Sequence, residues 1–265
     1  MSKTIVFVHG AFMTPLCWEK MLGYFQGKGY TCLAPAWPHK DVPIEQLRKQ
    51  PQALAGLGVS EIVDHYERVI RGLDEPPILI GHSFGGLFVQ MLLDRGVGAA
   101  GVAIDPAPPK GVLPMGTALK ANAWILFTWR GWKKVIFSSF EAFRYSFVHT
   151  LPEAEQQAVY ETYVTPETGR IFFQAGFALL DPGQAVRVNF RNATRAPLLI
   201  TAGSEDHVVP AAMVKANVKK YRGSPARTDF KEFAGQTHWL IAQQGWEEVA
   251  DYINTWLGQV APQEG

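Results

Sequence analysis

Pro77-Ile78-Leu79-Ile80-Gly81-His82-Ser83-Phe84-Gly85-Gly86 is the stretch that decides the fold. Its apolar run predicts a strand over Pro77–Ile80, and the pattern from Phe84 to Leu93 predicts a helix that begins almost at once. A serine at so sharp a strand-to-helix turn is held in strained backbone. Glycines two positions before and after it relieve the crowding, because side chains there would clash with neighbouring backbone. The turn lifts the Ser83 hydroxyl above the C-terminal edge of a sheet, and the first N–H groups of the helix face any negative charge forming there. The alternative is a Gly-rich turn in which Ser83 only caps the helix.

Outward from this turn the chain alternates strand and helix. Thr4–Val8 is a continuous β-branched and aromatic run, as expected of a strand buried on both faces. Pro15–Gln26 carries apolar residues near helical spacing and ends at Gly27 and Gly29. Tyr30–Ala34 reads as a strand. Val59–Leu73 reads as an amphipathic helix with Ser60 as its N-cap and Ile62, Tyr66, Val69, Ile70 and Leu73 on one face. Gly101–Ile104 is a fourth strand. After a long interruption follow strand Leu198–Thr201, helix Ala211–Tyr221, strand Thr228–Phe233 and helix Trp246–Leu257. This order predicts an α/β fold: a parallel sheet with helices on both faces and right-handed crossovers. The interruption, from Ala107 to about Asn192, reads as mostly helical with no clear strand. Residues 1–106 and 193–265 are therefore the expected core and 107–192 an insertion, with Ala261–Gly265 a frayed tail.

The chain has 265 residues, 47% of them hydrophobic and 18% charged, which suits one large globular unit. A net charge of +1 gives no broad field for nucleic acid. Cys17 and Cys32 offer neither a disulfide framework nor a metal cluster, and no clustered His/Asp spacing suggests a metal. The first apolar run is too short for a signal-peptide core, and no apolar stretch is long enough to span a membrane. The expected location is the cytoplasm, where both thiols stay reduced.

A serine hydroxyl needs a base, and the base needs an acid to orient it. His238, in Gly235-Gln236-Thr237-His238-Trp239 after the last strand, lies at the same sheet edge as Ser83. Two acids compete. Asp206 follows strand Leu198–Thr201 and Asp105 ends the strand before it; spacing alone does not choose, whereas the chain order Ser83…Asp206…His238 favours Asp206. Glu205 is a third candidate. For an oxyanion, the N–H of Phe84 is one donor and that of Ala11, in His9-Gly10-Ala11-Phe12, the other, with Phe12 as the alternative. His9 is expected to brace this loop.

These residues, His9-Gly10-Ala11, Gly81–Gly86, Gly203–Pro210 with Asp206, and His238, resemble the α/β-hydrolase superfamily over essentially the whole chain. Within it the sequence is similar to small capped esterases, lactonases and cofactor-free perhydrolases. The resemblance implies the α/β-hydrolase fold, a Ser–His–Asp triad, a helical cap formed by 107–192 and no cofactor. The chain opens in what would be the family's third strand, so six mostly parallel strands are expected. Related dehalogenases and epoxide hydrolases place an Asp where Ser83 stands, and hydroxynitrile lyases place a Lys where Trp239 stands.

The insertion holds 15 of the chain's 32 aromatic residues. They can roof an apolar pocket, pack the cap onto the core, or, over Trp124–Lys134, dip into a membrane surface with Arg130, Lys133 and Lys134 at the headgroups. Phe12, Trp124, Phe143 and Trp239 are the candidate substrate contacts. The expected substrate is an uncharged small-molecule ester. A lactone, peroxide or carbon–carbon chemistry on the same triad is the enzymatic alternative, and a small-ligand receptor the non-enzymatic one.

Overall fold

The computed structural model describes residues 2–260. The expected frayed tail, Ala261–Gly265, lies outside them. Strand β1 (Thr4–Val8) leads through a 3₁₀ turn at Pro15–Trp18 into helix α1 (Glu19–Gly27), then β2 (Thr31–Leu33). Helices α2 (Ile44–Lys49) and α3 (Val59–Arg71) precede β3 (Ile78–His82), α4 (Phe84–Asp94) and β4 (Ala100–Ile104). The middle stretch comprises α5 (Thr117–Leu126), β5 (Val135–Ile136), α6 (Phe140–Phe143), α7 (Glu153–Tyr163), β6 (Glu167–Thr168) and α8 (Arg170–Gly176). The alternation resumes with β7 (Leu198–Gly203), α9 (Ala211–Lys220), β8 (Thr228–Phe233) and α10 (Trp246–Val260).

Six strands form one parallel sheet in the order β2-β1-β3-β4-β7-β8. The apolar runs of β1, β3, β4 and β7 are buried throughout their central residues, because helices cover both faces of a parallel sheet. The chain leaves β1 toward β2 and then returns past it to β3, so the connections diverge between β1 and β3. A ligand crevice opens at the C-terminal ends of the strands at such a point. The register pairs Val8 with Gly81 and His82 with Ile104, bringing the loop after β1 beside the turn that carries Ser83.

That turn has no spare space. A Cβ on Gly81 would lie 2.2 Å from the Gly85 carbonyl oxygen, and one on Gly85 only 1.9 Å from that of Val8. The two glycines therefore let α4 start directly on top of the sheet. Every residue of α4 from Phe84 to Leu93 is buried, which its nearly uniform apolar sequence permits.

Several expected boundaries change. Strands β3 and β7 run past the expected ends at Ile80 and Thr201, because pairing with β4 and β8 holds Gly81 and Gly203 in the ladder. Ser60 does not cap α3. The cap position is Gly58, whose N–H donates to Glu61 Oε2 at 2.7 Å, leaving Ser60 inside the first turn. Between 107 and 192 the antiparallel pair β5–β6 replaces the expected absence of strands, two residues a side being too few to give an alternation. No helix among the described residues is long and apolar enough to cross a membrane.

Two alanine substitutions separate packing from propensity. Gly85→Ala should cost about 4 kcal/mol or more, since its Cβ meets backbone rather than a movable side chain. Gly23→Ala, on an exposed face of α1 with nothing within 4 Å, should stabilise by about 0.5–1 kcal/mol. Denaturant melts check both signs.

Candidate active site

Ser83 sits between β3 and α4 with φ 56° and ψ −120°, a region non-glycine residues rarely enter. Its own backbone is fixed from two sides. The N–H donates to the Ile104 carbonyl at 2.9 Å, and the carbonyl accepts from Ala107 N–H at 3.0 Å. Phe84 opens α4, so its N–H has no acceptor within the helix.

His238 is fully buried on the loop after β8. Its Nδ1 is 2.5 Å from Asp206 Oδ2 and 3.9 Å from Asp105 Oδ2. Asp206 Oδ1 accepts from the N–H groups of Val208 and Val209 at 2.6 and 2.8 Å, so its other oxygen is turned to the histidine. A proton on Nδ1 leaves Nε2 bare, and that nitrogen is buried with no hydrogen-bond partner. Phe147 packs edge-on against the ring at 4.6 Å. His82 holds the backbone here: its Nε2–H donates to the His238 carbonyl at 2.8 Å.

The two acids are shifted in opposite directions. Burial, then repulsion from Asp206, pushes the Asp105 carboxyl well above its ordinary value. Burial works on Asp206 too, but the neighbouring His238 and its hydrogen bond outweigh it and hold that carboxyl below its ordinary value. Asp105 Oδ1 accepts the Gly203 N–H at 2.8 Å, tying the end of β4 to β7. Glu205, the third candidate, is exposed and accepts from the Ser204 hydroxyl instead.

His82, Asp105 and His238 each bring a donor atom within 4.8 Å of the others, the one such trio among the described residues. His82 Nε2 and His238 Nδ1 are already committed to the contacts above. The other ring nitrogens, His82 Nδ1 and His238 Nε2, are buried and have no hydrogen-bond partner among the described residues.

Ser83, Ala11, Phe12 and Phe84 form the floor of a cavity of about 240 Å³. Leu119, Leu126, Phe147 and Phe172, all from the middle stretch, contribute to its wall. Beyond Ser83 its one polar side chain is Asn122, whose amide N–H donates to the Ala118 carbonyl at 2.9 Å. Of the expected substrate contacts, Phe12 reaches the cavity wall and three do not. Trp124 stacks behind Phe12 at 6.3 Å; Phe143 is buried behind Phe147, their rings 4.9 Å apart. Trp239 follows His238 but is buried against Tyr163 at 5.1 Å. The cavity takes its rings from one layer further in than the sequence pattern distinguishes.

A family model described as the alpha/beta hydrolase family matches residues 5–252 of the chain. The chain belongs to that family. No curated protein matches this alpha/beta hydrolase closely enough to count as a relative. Solved structures similar to it include a monoacylglycerol lipase of Paleococcus ferrophilus, with 22% identity over 97% of this chain and 95% of that one, TM-score 0.68. An extracellular Paenibacillus hydrolase, described as sharing structural and functional homology with tobacco salicylic acid binding protein 2, has 19% identity over 95% and 98%, TM-score 0.71. Tomato methylketone synthase I, complexed with 2-tridecanone, has 15% identity over 98% and 99%, TM-score 0.70.

The alpha/beta hydrolase also holds a buried ion pair that its sequence does not announce. Lys40 Nζ and Glu167 Oε2 are 2.6 Å apart, with both side chains wholly inaccessible. Lys40 also donates to the Met13 carbonyl at 2.9 Å and Thr165 Oγ1 at 3.2 Å. Glu167 Oε2 in turn accepts the Phe12 N–H at 3.1 Å, and Thr165 N–H donates to the Phe12 carbonyl at 2.8 Å. Phe12, with φ 63°, is thereby pinned at both of its backbone polar groups. Its N–H is spent on Glu167, while Ala11 beside it lines the cavity. His9 does brace this loop: Nδ1–H donates to the Gly10 carbonyl at 2.9 Å, and Nε2 accepts the Trp37 N–H at 3.2 Å.

Two stability experiments follow from these charges. Lys40→Met or Glu167→Leu alone strands a buried charge and should cost about 3–5 kcal/mol. The double variant should cost less than their sum, by up to about 3 kcal/mol, in a denaturant cycle. For the acids, the unfolded Asp105 ionises near pH 4 while the folded one is raised well above that, so its burial destabilises increasingly as pH rises above about 4. Asp105→Asn, which can keep the Gly203 bond, should gain on wild type from about pH 4 upward. Asp206 has the opposite sign: its contribution is present above the ordinary carboxylate range and is lost as pH falls through its lowered value. Asp206→Asn should therefore be less stable than wild type at pH 8, and equal melts there for all three proteins would refute the charge assignment.

Proposed function

We propose that this chain is a serine hydrolase that cleaves a carboxylic ester of an uncharged, largely apolar small molecule. One arrangement carries the proposal. The His238 ring is fixed by Asp206 on Nδ1 and leaves Nε2 bare, at the sheet edge where the elbow presents Ser83 to an apolar cavity. In this reading Ser83 Oγ attacks the ester carbonyl and His238 Nε2 takes its proton. Asp206 keeps the tautomer and stabilises the imidazolium. The N–H groups of Phe84 and Ala11 hold the oxyanion, each contributing roughly 3–4 kcal/mol, with the N-terminus of α4 behind them. His238 then protonates the departing alkoxide. A water molecule, deprotonated by the same nitrogen, releases the acid from the acyl-enzyme.

The cavity wall supports the substrate class. It has no charged side chain, so a charged group would lose its hydration without finding a partner. Residues 107–192 act as the cap, keeping water from the acyl-enzyme until deacylation. Similarity in fold to a monoacylglycerol lipase and to an Arabidopsis methylesterase agrees with ester chemistry. Loss of the Ser83 hydroxyl tests this directly. Ser83→Ala should lower kcat on medium-chain p-nitrophenyl esters by roughly 10⁴-fold, keep the wild-type melting temperature and escape fluorophosphonate labelling. Undiminished turnover by Ser83→Ala would refute the mechanism.

A further inference from the structure

The aromatic residues of the middle stretch divide into two sets. Phe147 and Phe172 line the cavity, and Phe143 packs behind them. Phe127, Trp129, Trp132, Phe137 and Phe177 instead stand exposed. Ten large apolar side chains stand exposed among the described residues, and nine of them fall between Leu113 and Leu180. Phe127 is 88% exposed, Leu180 81% and Trp129 79%. Single exposed apolar residues are ordinary, but nine within one stretch of the chain are not.

The exposed set is continuous with the cavity mouth. Leu119 and Leu126 of α5 line the cavity, as do Ala175 and Gly176 of α8, and Gly176 packs directly against Leu126. Phe127 and Phe177 come next in each chain direction. Phe177 stacks on Phe173 at 5.8 Å and Phe173 meets Trp132 edge-on at 5.4 Å, with Leu180 bordering the same hollow. An apolar strip thus leads from the protein surface to the cavity that holds Ser83.

Charge identifies what the strip meets. Between Ala107 and Phe140 the sequence has five Lys or Arg and no Asp or Glu, in a chain whose net charge is only +1. Arg130, Lys133 and Lys134 interleave with the exposed aromatics, are themselves exposed and make no ion pair among the described residues. A second copy of the chain is a poor occupant, since a two-fold contact would bring these three cations against their own equivalents. Rings flanked by lysine and arginine match a lipid–water interface, where the rings enter the acyl boundary and the cations meet anionic headgroups.

We infer that the strip formed by Phe127, Trp129, Trp132, Phe177 and Leu180 docks the protein on an anionic lipid bilayer, with the cavity mouth facing the membrane. Docking itself is independent of the proposed catalysis; the corollary, that an ester dissolved in the bilayer enters without crossing water, rests on it.

Flotation of the full chain with phosphatidylcholine vesicles, with and without phosphatidylglycerol, tests the inference. The protein should float with the mixed vesicles, far less with phosphatidylcholine alone, and be released by about 0.5 M salt. Phe127→Ser/Trp129→Ser/Leu180→Ser should cut the bound fraction about tenfold, and Arg130→Gln/Lys133→Gln/Lys134→Gln should erase the preference for anionic lipid. All six side chains are exposed and none lines the cavity, so both variants should turn over a short, water-soluble ester at the wild-type rate. On a vesicle-dissolved long-chain ester the serine variant should be about tenfold slower. Failure of the wild type to float with either vesicle would overturn the inference. So would a dimer in light scattering that the serine variant dissolves while no vesicle is bound. If instead Ser83 is not the nucleophile, flotation persists while Ser83→Ala still turns over both esters, which separates the two claims.

Discussion

The contact on which the rest of the architecture depends is backbone against backbone. The first turn of α4 lies on the ends of β1 and β3 so closely that no Cβ fits at Gly81 or Gly85. Because the helix starts without a loop, Ser83 is forced to positive φ, and the surrounding ladder must over-determine a conformation costing about 1–3 kcal/mol. Three bonds do so, from Ser83 to Ile104, from Ala107 to Ser83 and from Leu87 to Ser83. The same contact sets the first N–H groups of a wholly buried helix against the loop after β1. Serine and loop donors are therefore placed by the sheet rather than by flexible segments.

Around His238 the deciding physics is that two close carboxyls do not both ionise in a dry site. Asp206 is held below its ordinary value because it alone receives Val208, Val209 and the imidazole; Asp105 has one backbone donor and is pushed above its own. Asp105 accepts the Gly203 N–H through Oδ1 and serves as a strut between β4 and β7. His82, kept neutral first by burial and then by its neighbour His238, anchors the same histidine through its backbone.

What the sequence disclosed follows the range of each interaction. The strand, tight turn and helix around Ser83 are local, so their residue types alone announce them, and the loops bearing Asp206 and His238 follow from counting strands. Choosing between Asp105 and Asp206 needs distances of 3.9 and 2.5 Å, which no spacing encodes. Ring placement in the middle stretch depends on how short helices cross, so Trp124, Phe143 and Trp239 read as plausibly as Phe147. Lys40 and Glu167 lie 127 positions apart, in no motif, and each reads as an ordinary surface residue. Only their shared burial reveals them.

That ion pair changes what kind of attachment the middle stretch has. It leaves the core after β4 and rejoins it before β7, but β6 supplies a third fastening midway, where Glu167 locks to Lys40 and to the loop at Phe12. A segment fastened in its middle as well as at its ends cannot swing open as one rigid flap. The ribbon is also a question of inheritance: a chimera that receives this stretch from another member of the family must receive a matching partner at position 40, or the loop carrying Ala11 comes with a buried charge and no counterion.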